Sequence, residues 1–363
     1  MTTDRIEGLK VGAYTIPTDR PESDGTLEWD STTIVVVQAR GGGRTGLGYT
    51  YTHEAAAGLI HDRLAGVVQG GDPLTVGAAW ARMVRSIRNY GRPGIASTAI
   101  SAVDIALWDL KARILDLPLA TLLDQLHPTV PIYGSGGFTS YSTEEIRSQL
   151  AAWAAEGIPR VKMKVGRQPD RDVERVRAAR EAIGPGAELF VDANGAYFRK
   201  EALRFAHEFA EFGVTWFEEP VSSDDLEGLR LLRDRGPVSM DIAAGEYGYD
   251  LPYFQRMLEA GAVDCLQADV TRCGGITGFL QVATLCEARS TDLSAHTAPA
   301  ASLPACAAVR RLRHLEYFHD HVRIEAMLFD GVRRPEAGTL KPDPSRPGLG
   351  LELKSSVAER YAA

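Results

Sequence analysis

The chain has 363 residues, 44% of them hydrophobic, which is more than one typical domain needs and suggests two domains, or a barrel-sized domain with an addition. Forty basic against 48 acidic residues give a formal charge of −8, excluding the global basic field that draws a protein to nucleic acid or an anionic membrane. No apolar run approaches the ~18 residues of a membrane span, and Met-Thr-Thr-Asp-Arg at the start lacks the basic-then-apolar pattern of a leader, so a cytoplasmic protein acting on a small molecule is expected.

Residues 7–17, 32–39 and 47–51 have strand composition, and the charged, turn-rich segment 18–30 reads as a long polar hairpin loop. Segments 53–68, 76–90 and 95–115 read as helices; in the last, Val103, Leu107, Leu110 and Ile114 recur at helical spacing. Strands followed by helices suggest an α+β domain over 1–127. From Val130 the pattern becomes strand, loop, helix, repeated, with strands expected at 130–134, 161–165, 188–192, 214–218, 240–244, 263–269, 292–296 and 314–318. Eight such units over 128–326 fit a (β/α) barrel. The competing doubly wound sheet would need a phosphate-binding glycine turn, and Gly134-Ser135-Gly136-Gly137 has the wrong spacing and no acidic ribose partner. The Pro- and Gly-rich segment 327–363 is expected to return to the N-terminal domain and complete it. Cys265, Cys273, Cys286 and Cys306 show no C-x2-C pair and read as reduced, mostly buried thiols.

Polar residues close successive barrel strands: Lys164, Asp192, Glu218, Glu246, Asp269, His296 and Glu316. The gaps of 28, 26, 28, 23, 27 and 20 residues each match about one βα unit. Each residue therefore takes an equivalent place on its own strand, on the face where barrel enzymes keep their chemistry. Asp192, Glu218 and Glu246 on neighbouring strands require a cation, and all-oxygen ligands favour Mg²⁺, with Mn²⁺ and Ca²⁺ as alternatives. Glu219, next along the strand, should alternate away from that cluster. Lys162 and Lys164 share one face of their strand, so like-charge repulsion from Lys162 together with the metal ion should lower the pKa of Lys164 and help it become a neutral base. In phase with these, Asp269 and His296 suggest a dyad in which the carboxylate sets the imidazole tautomer and raises its pKa. Asn194, Arg272 and Arg20 are candidate substrate contacts.

The segment 99–113 (Ala-Ile-Ser-Ala-Val-Asp-Ile-Ala-Leu-Trp-Asp-Leu-Lys-Ala-Arg) with Leu-Pro-Leu-Ala-Thr-Leu-Leu at 117–123, Lys162-x-Lys164, Asp192-Ala-Asn194, Glu218-Glu219-Pro220 and Gly245-Glu246 resembles the mandelate racemase and muconate-lactonizing group of the enolase superfamily. The resemblance implies a (β/α)7β TIM-type barrel with an N-terminal α+β capping domain, Mg²⁺ on Asp192, Glu218 and Glu246, a small-molecule carboxylate substrate and a homo-oligomer. Where muconate-lactonizing members place a basic lysine after the sixth barrel strand, this sequence has Asp269-Val-Thr-Arg272, and an arginine is a poor base. The Asp269 and His296 pair is similar instead to the mandelate racemase subgroup, in which the position of Glu316 bonds the substrate carboxylate.

The reaction so implied is removal of the proton α to a carboxylate, with Lys162 and a protonated or proton-sharing Glu316 helping to stabilise the enediolate. The hydroxyl and charged groups of the 18–25 loop, taken to cover the site, favour a polyol chain. Dehydration of a sugar acid to a 2-keto-3-deoxy acid is the expectation. Racemisation or epimerisation of a 2-hydroxy acid and a catalytically silent binding protein are the alternatives.

Overall fold

Residues 5–363 are described by the computed structural model of the chain; Met1–Asp4, part of the stretch read above as no leader, lie outside the described residues. Strands β1 (Ile6–Ser23), β2 (Glu28–Gly41) and β3 (Arg44–Tyr51) form an antiparallel sheet in sequence order. Along β2 the run Ile34–Val37 is apolar at every position because both faces are covered. Ile34 and Val36 pack on the barrel side and Val35 and Val37 on the helical side. That second layer consists of helical turns over Ala55–Leu59, Ile60–Leu64 and Ala65–Val68, then Val76–Ser86 and Ile95–Ile114.

The expected polar loop over 18–30 is instead β-ladder. Pairing shifts register between Pro17 and Glu22, resumes with Glu22 opposite Trp29 and Ser23 opposite Glu28, and leaves only a tight turn. Asp24 closes that turn: its Oδ1 accepts from the amides of Thr26 at 2.6 Å and Leu27 at 2.7 Å. The polar composition reflects one exposed edge, while Glu22, Ser23 and Asp24 are buried against the barrel.

Eight parallel strands follow: β4 (Val130–Gly136), β5 (Arg160–Lys164), β6 (Glu188–Asp192), β7 (Val214–Glu218), β8 (Asp241–Ala244), β9 (Cys265–Ala268), β10 (Asp292–Ala295) and β11 (Leu312–Phe318). The last closes on the first, with Leu315 beside Ile132, so the sheet is a closed barrel and the open doubly wound alternative is excluded. Helices separate the strands, and His319–Leu328 follows the eighth. The end of the chain then runs back: Phe329–Asp330 pairs with Glu352–Leu353, and the amide of Ala363 donates to Ala13 at 3.0 Å on the first sheet. Asp109 ties three parts together, accepting from the amides of Leu47 and Leu349 at 2.6 and 2.5 Å and from Arg113 at 2.7 Å. All four cysteines are buried free thiols. Among the described residues no helix is long and apolar enough to cross a membrane.

The hairpin tip seats the cap on the barrel. A Cβ on Gly25 would lie 2.1 Å from the carbonyl of Ala193 and 2.8 Å from that of Val165, at the ends of β6 and β5. Gly25→Ala should lift the tip and lower kcat/KM by on the order of 10²-fold with little change in Tm, because small misplacements of a positioned wall are expensive in rate. Steady-state kinetics beside a thermal melt checks this.

Candidate active site

All seven strand-end residues expected from the spacing lie together at the C-terminal rim of the barrel, under the cap. Lys162, Asp192, Glu218 and Glu316 are fully buried, and Lys164, Glu246, Asp269 and His296 nearly so. Lys162 Nζ lies 2.5 Å from Glu218 Oε1, 2.9 Å from Glu316 Oε1 and 3.4 Å from Asp192 Oδ2. Lys164 Nζ donates to Asp192 Oδ2 at 2.5 Å. His296 Nδ1 is 2.7 Å from Asp269 Oδ2, whose Oδ1 is anchored by the Thr271 amide and hydroxyl at 2.6 and 2.7 Å. The other ring nitrogen, Nε2, faces Glu246 Oε2 at 3.2 Å and Glu316 Oε2 at 3.7 Å.

The protonation states follow from this crowding. Burial alone would lower the pKa of His296, yet Glu246, Glu316 and Asp269 together raise it to about 10. Burial opposes ionisation of Asp269, but the His296 contact brings its pKa to about 2. For Lys164, burial and then Lys162 pull the pKa down as expected, but the carboxylates of Asp192, Glu246 and Glu218 together reverse this and raise it as long as no cation engages them. Glu316 differs from the expectation. Burial would keep it protonated, but Lys162 and then His296 draw it down to about 2, so it is an ionised carboxylate.

Glu219 overturns the alternation rule. Its backbone is left-handed, with φ 37°, which turns the side chain back into the site instead of away from it. Burial first, then Glu246, pushes its carboxyl well above the usual range. Asn194, after the adjacent β6, and Thr297, after β10 on another side of the rim, share this conformation with φ 47° and 44°. The amide of Asn194 donates to Asp192 Oδ1 at 2.9 Å, and its own Oδ1 is buried without a partner among the described residues.

The donor set fits a divalent cation. Asp192, Glu218 and Glu246 each bring one ligand atom, all within 4.8 Å of one another. Six buried carboxylates (Asp192, Glu218, Glu219, Glu246, Asp269, Glu316) face Lys162, Lys164, Arg272 and an imidazolium at His296, an excess of two negative charges. Without a cation the excess is relieved by protons, as burial and Asp192 push Glu218 up to about 8. Hard oxygen donors of this kind suit Mg²⁺.

A cavity of about 540 Å³ opens between rim and cap, bounded by Lys164, Asn194, Glu246, Arg272, His296 and Glu316 below. Arg272 lies 3.3 Å from Glu246 Oε1 and 3.5 Å from Asp269 Oδ2, its guanidinium over the Tyr247 ring. Arg20 is not there: it pairs with Glu145 on the outer edge of β1 and is largely exposed. Arg20→Ala should leave kcat/KM within about twofold of the parent; a larger loss in a steady-state assay would return it to the site. Of the segment expected to cover the site, only Asp24 lines the cavity. The wall is instead Leu27, Trp29, Ser31, Thr32, Thr33, Tyr51, Thr52 and His53 from the cap, with Tyr247, Thr297, Phe318 and His321 from the barrel. Sequence reasoning missed these residues. Tyr247 and Thr297 directly follow recognised strand-end groups and were within its reach; the cap residues carry no local signal. Trp29 is held by Glu22, whose Oε2 accepts from the indole at 2.9 Å and whose carboxyl burial pushes up to about 8.

A closed barrel that gathers acids, bases and a cation-ready carboxylate triad at one rim, roofed by a separate cap, defines a metal-assisted barrel enzyme. The chain belongs to the mandelate racemase/muconate lactonizing enzyme family of the enolase superfamily. The family model for the mandelate racemase/muconate lactonizing enzyme N-terminal domain matches residues 16–124, and the enolase C-terminal domain-like model matches 145–357. A mandelate racemase/muconate lactonizing enzyme-like protein from Rubrobacter xylanophilus is 62% identical, with a TM-score of 0.97 over 99% of this chain and 100% of that one. The 3,6-anhydro-alpha-L-galactonate cycloisomerase of Streptomyces coelicolor is 36% identical over 98% of this chain and 99% of its own. L-talarate/galactarate dehydratase from Salmonella typhimurium LT2, solved with Mg and L-lyxarohydroxamate, is 29% identical with a TM-score of 0.89, covering 100% of this chain and 94% of that one.

Proposed function

We propose that this enzyme, with Mg²⁺ as cofactor on Asp192, Glu218 and Glu246, removes the proton α to the carboxylate of a sugar acid and expels the oxygen on the next carbon, giving a 2-keto-3-deoxy acid. The observation that carries this reading is that Lys164 and His296, from the second and seventh barrel strands, open on one cavity whose cap side is lined by the hydroxyl-bearing residues Ser31, Thr32, Thr33 and Thr52. A wall of this polarity suits a polyol chain better than an aromatic ring.

When bound, Mg²⁺ supplies positive charge to the substrate carboxylate as a second negative charge develops there. Lys164 is the base. Burial and the neighbouring Lys162 both favour its neutral amine, and Asp192 ceases to oppose them once it is engaged by a cation. Lys162, held by Glu218 and Glu316, adds a fixed cation beneath the reacting carboxylate. The pair left by the departing proton forms the C=C bond, the β-oxygen leaves with its bonding pair, and His296 protonates it. Asp269 orients the His296 ring so that Nε2 points at the cavity, and Glu246, Glu316 and Asp269 keep it protonated. The resulting enol becomes the 2-keto acid.

A second reading has its own support in the cycloisomerase relative. An anhydro bridge from carbon 3 to carbon 6 places an ether oxygen on the β-carbon, so the same elimination would open a ring instead of releasing water. Racemisation or epimerisation would follow if His296 instead returned a proton to the α-carbon. Screening mono- and diacid sugars and anhydro-sugar acids with Mg²⁺ in D₂O separates these. Keto-acid formation supports elimination, and α-deuteration without keto acid supports racemisation. Neither product from any acid would leave a binding protein and overturn the proposal.

A further inference from the structure

A second group of metal-ligating side chains converges outside the catalytic cavity, where the cap meets the barrel. Asp19 and Glu22 lie near the end of β1, and His319 opens the helix His319–Leu328 after β11. Each offers one ligand atom, and the three atoms lie within 4.8 Å of one another. His319 Nε2 is 3.1 Å from Asp19 Oδ2. Glu22 supplies the independent observation. It is 0% exposed, its Oε2 is occupied by Trp29, and its Oε1 is buried with no hydrogen-bond partner among the described residues. A buried carboxylate oxygen with no donor is expensive to keep. The nearby cation Arg323 does not meet the need, since its Nη2 is 2.6 Å from Asp320 Oδ1 and 2.7 Å from the Pro17 carbonyl. The elimination chemistry uses none of the three residues.

We propose that Asp19, Glu22 and His319 form a second cation site, separate from the catalytic carboxylates, for a transition-metal dication of the Zn²⁺ class. One imidazole nitrogen with two carboxylate oxygens is a mixed donor set that favours Zn²⁺ over Mg²⁺, whose preference is for oxygen alone. The side chains of Asp19 and His319 are 43% and 24% exposed, so an ion can enter from solvent and a water can complete a tetrahedron. Occupancy ties the end of β1 to the barrel helix. Because Glu22 also holds Trp29, it fixes one wall of the substrate cavity as well.

The test is equilibrium dialysis of the chelator-treated full-length protein against micromolar Zn²⁺ in millimolar Mg²⁺, followed by metal analysis and thermal melts. Wild type should retain one Zn²⁺ per chain and melt higher with Zn²⁺ than without. Asp19→Asn, a surface change that leaves folding intact, and Glu22→Gln, an isosteric one, should lose both the retained ion and the shift. Absence of retained Zn²⁺ in wild type overturns the site, and so does equal retention in wild type and Asp19→Asn.

Discussion

Lys164→Ala should lower turnover by about 10⁴-fold and abolish exchange of the substrate α-proton with D₂O, whereas His296→Asn should lose elimination by about 10²–10⁴-fold while still exchanging that proton. The split follows from their placement. Lys164 and His296 stand on the second and seventh strands of an eight-stranded barrel, so they approach the α-carbon from different sides, and only one can meet the departing proton. The partner of each is also distinct: Asp192 at 2.5 Å for Lys164, Asp269 at 2.7 Å for His296. If the substrate's α-proton faces His296, the pattern inverts and His296→Asn loses exchange altogether. A racemase gives a third pattern, in which each single variant exchanges one enantiomer only. NMR of the α-proton in D₂O on both variants, with the acid identified by screening, distinguishes these cases. Wild-type turnover in either variant would refute the two-base mechanism.

Removing either Asp192 or Glu246 should weaken Mg²⁺ binding by on the order of 10²-fold or more and reduce turnover to background. Glu219→Ala should also weaken Mg²⁺, by about 10-fold. Alternation along the strand would have made that last change mild. The left-handed backbone at Glu219 puts its carboxyl among the others instead, close enough that Glu246 raises its pKa. Titration calorimetry with Mg²⁺ on the three variants checks the order. Equal affinity in wild type and Asp192→Ala would sink the triad, and an unaltered Glu219→Ala would show that its buried carboxyl does not support the ion.

The chain order of the functional groups was legible because a βα unit has a nearly constant length. Polar residues spaced by about that length must recur at one level of the barrel, and Lys164, Asp192, Glu218, Glu246, Asp269, His296 and Glu316 do so. Strand periodicity likewise placed Lys162 with Lys164 on the inner face, since that inference needs only the alternation of an extended backbone. Three things lay beyond such reasoning. The direction of Glu219 depends on one φ angle that local composition does not encode. The charge states of Glu316 and Lys164 depend on which opposite charges gather around each in a dry interior, where several of them together outweigh burial. The cavity wall depends on where a hairpin more than a hundred residues upstream comes to rest. Residues 18–30 look polar because one edge of the ladder meets water, and it is the docking of Gly25 on the ends of β5 and β6 that brings Trp29 and Ser31 over the site and leaves Arg20 outside it. Chemistry fixed by local spacing was thus determined by the sequence alone, while substrate contacts, which arise only from packing between distant segments, were decided by the tertiary structure.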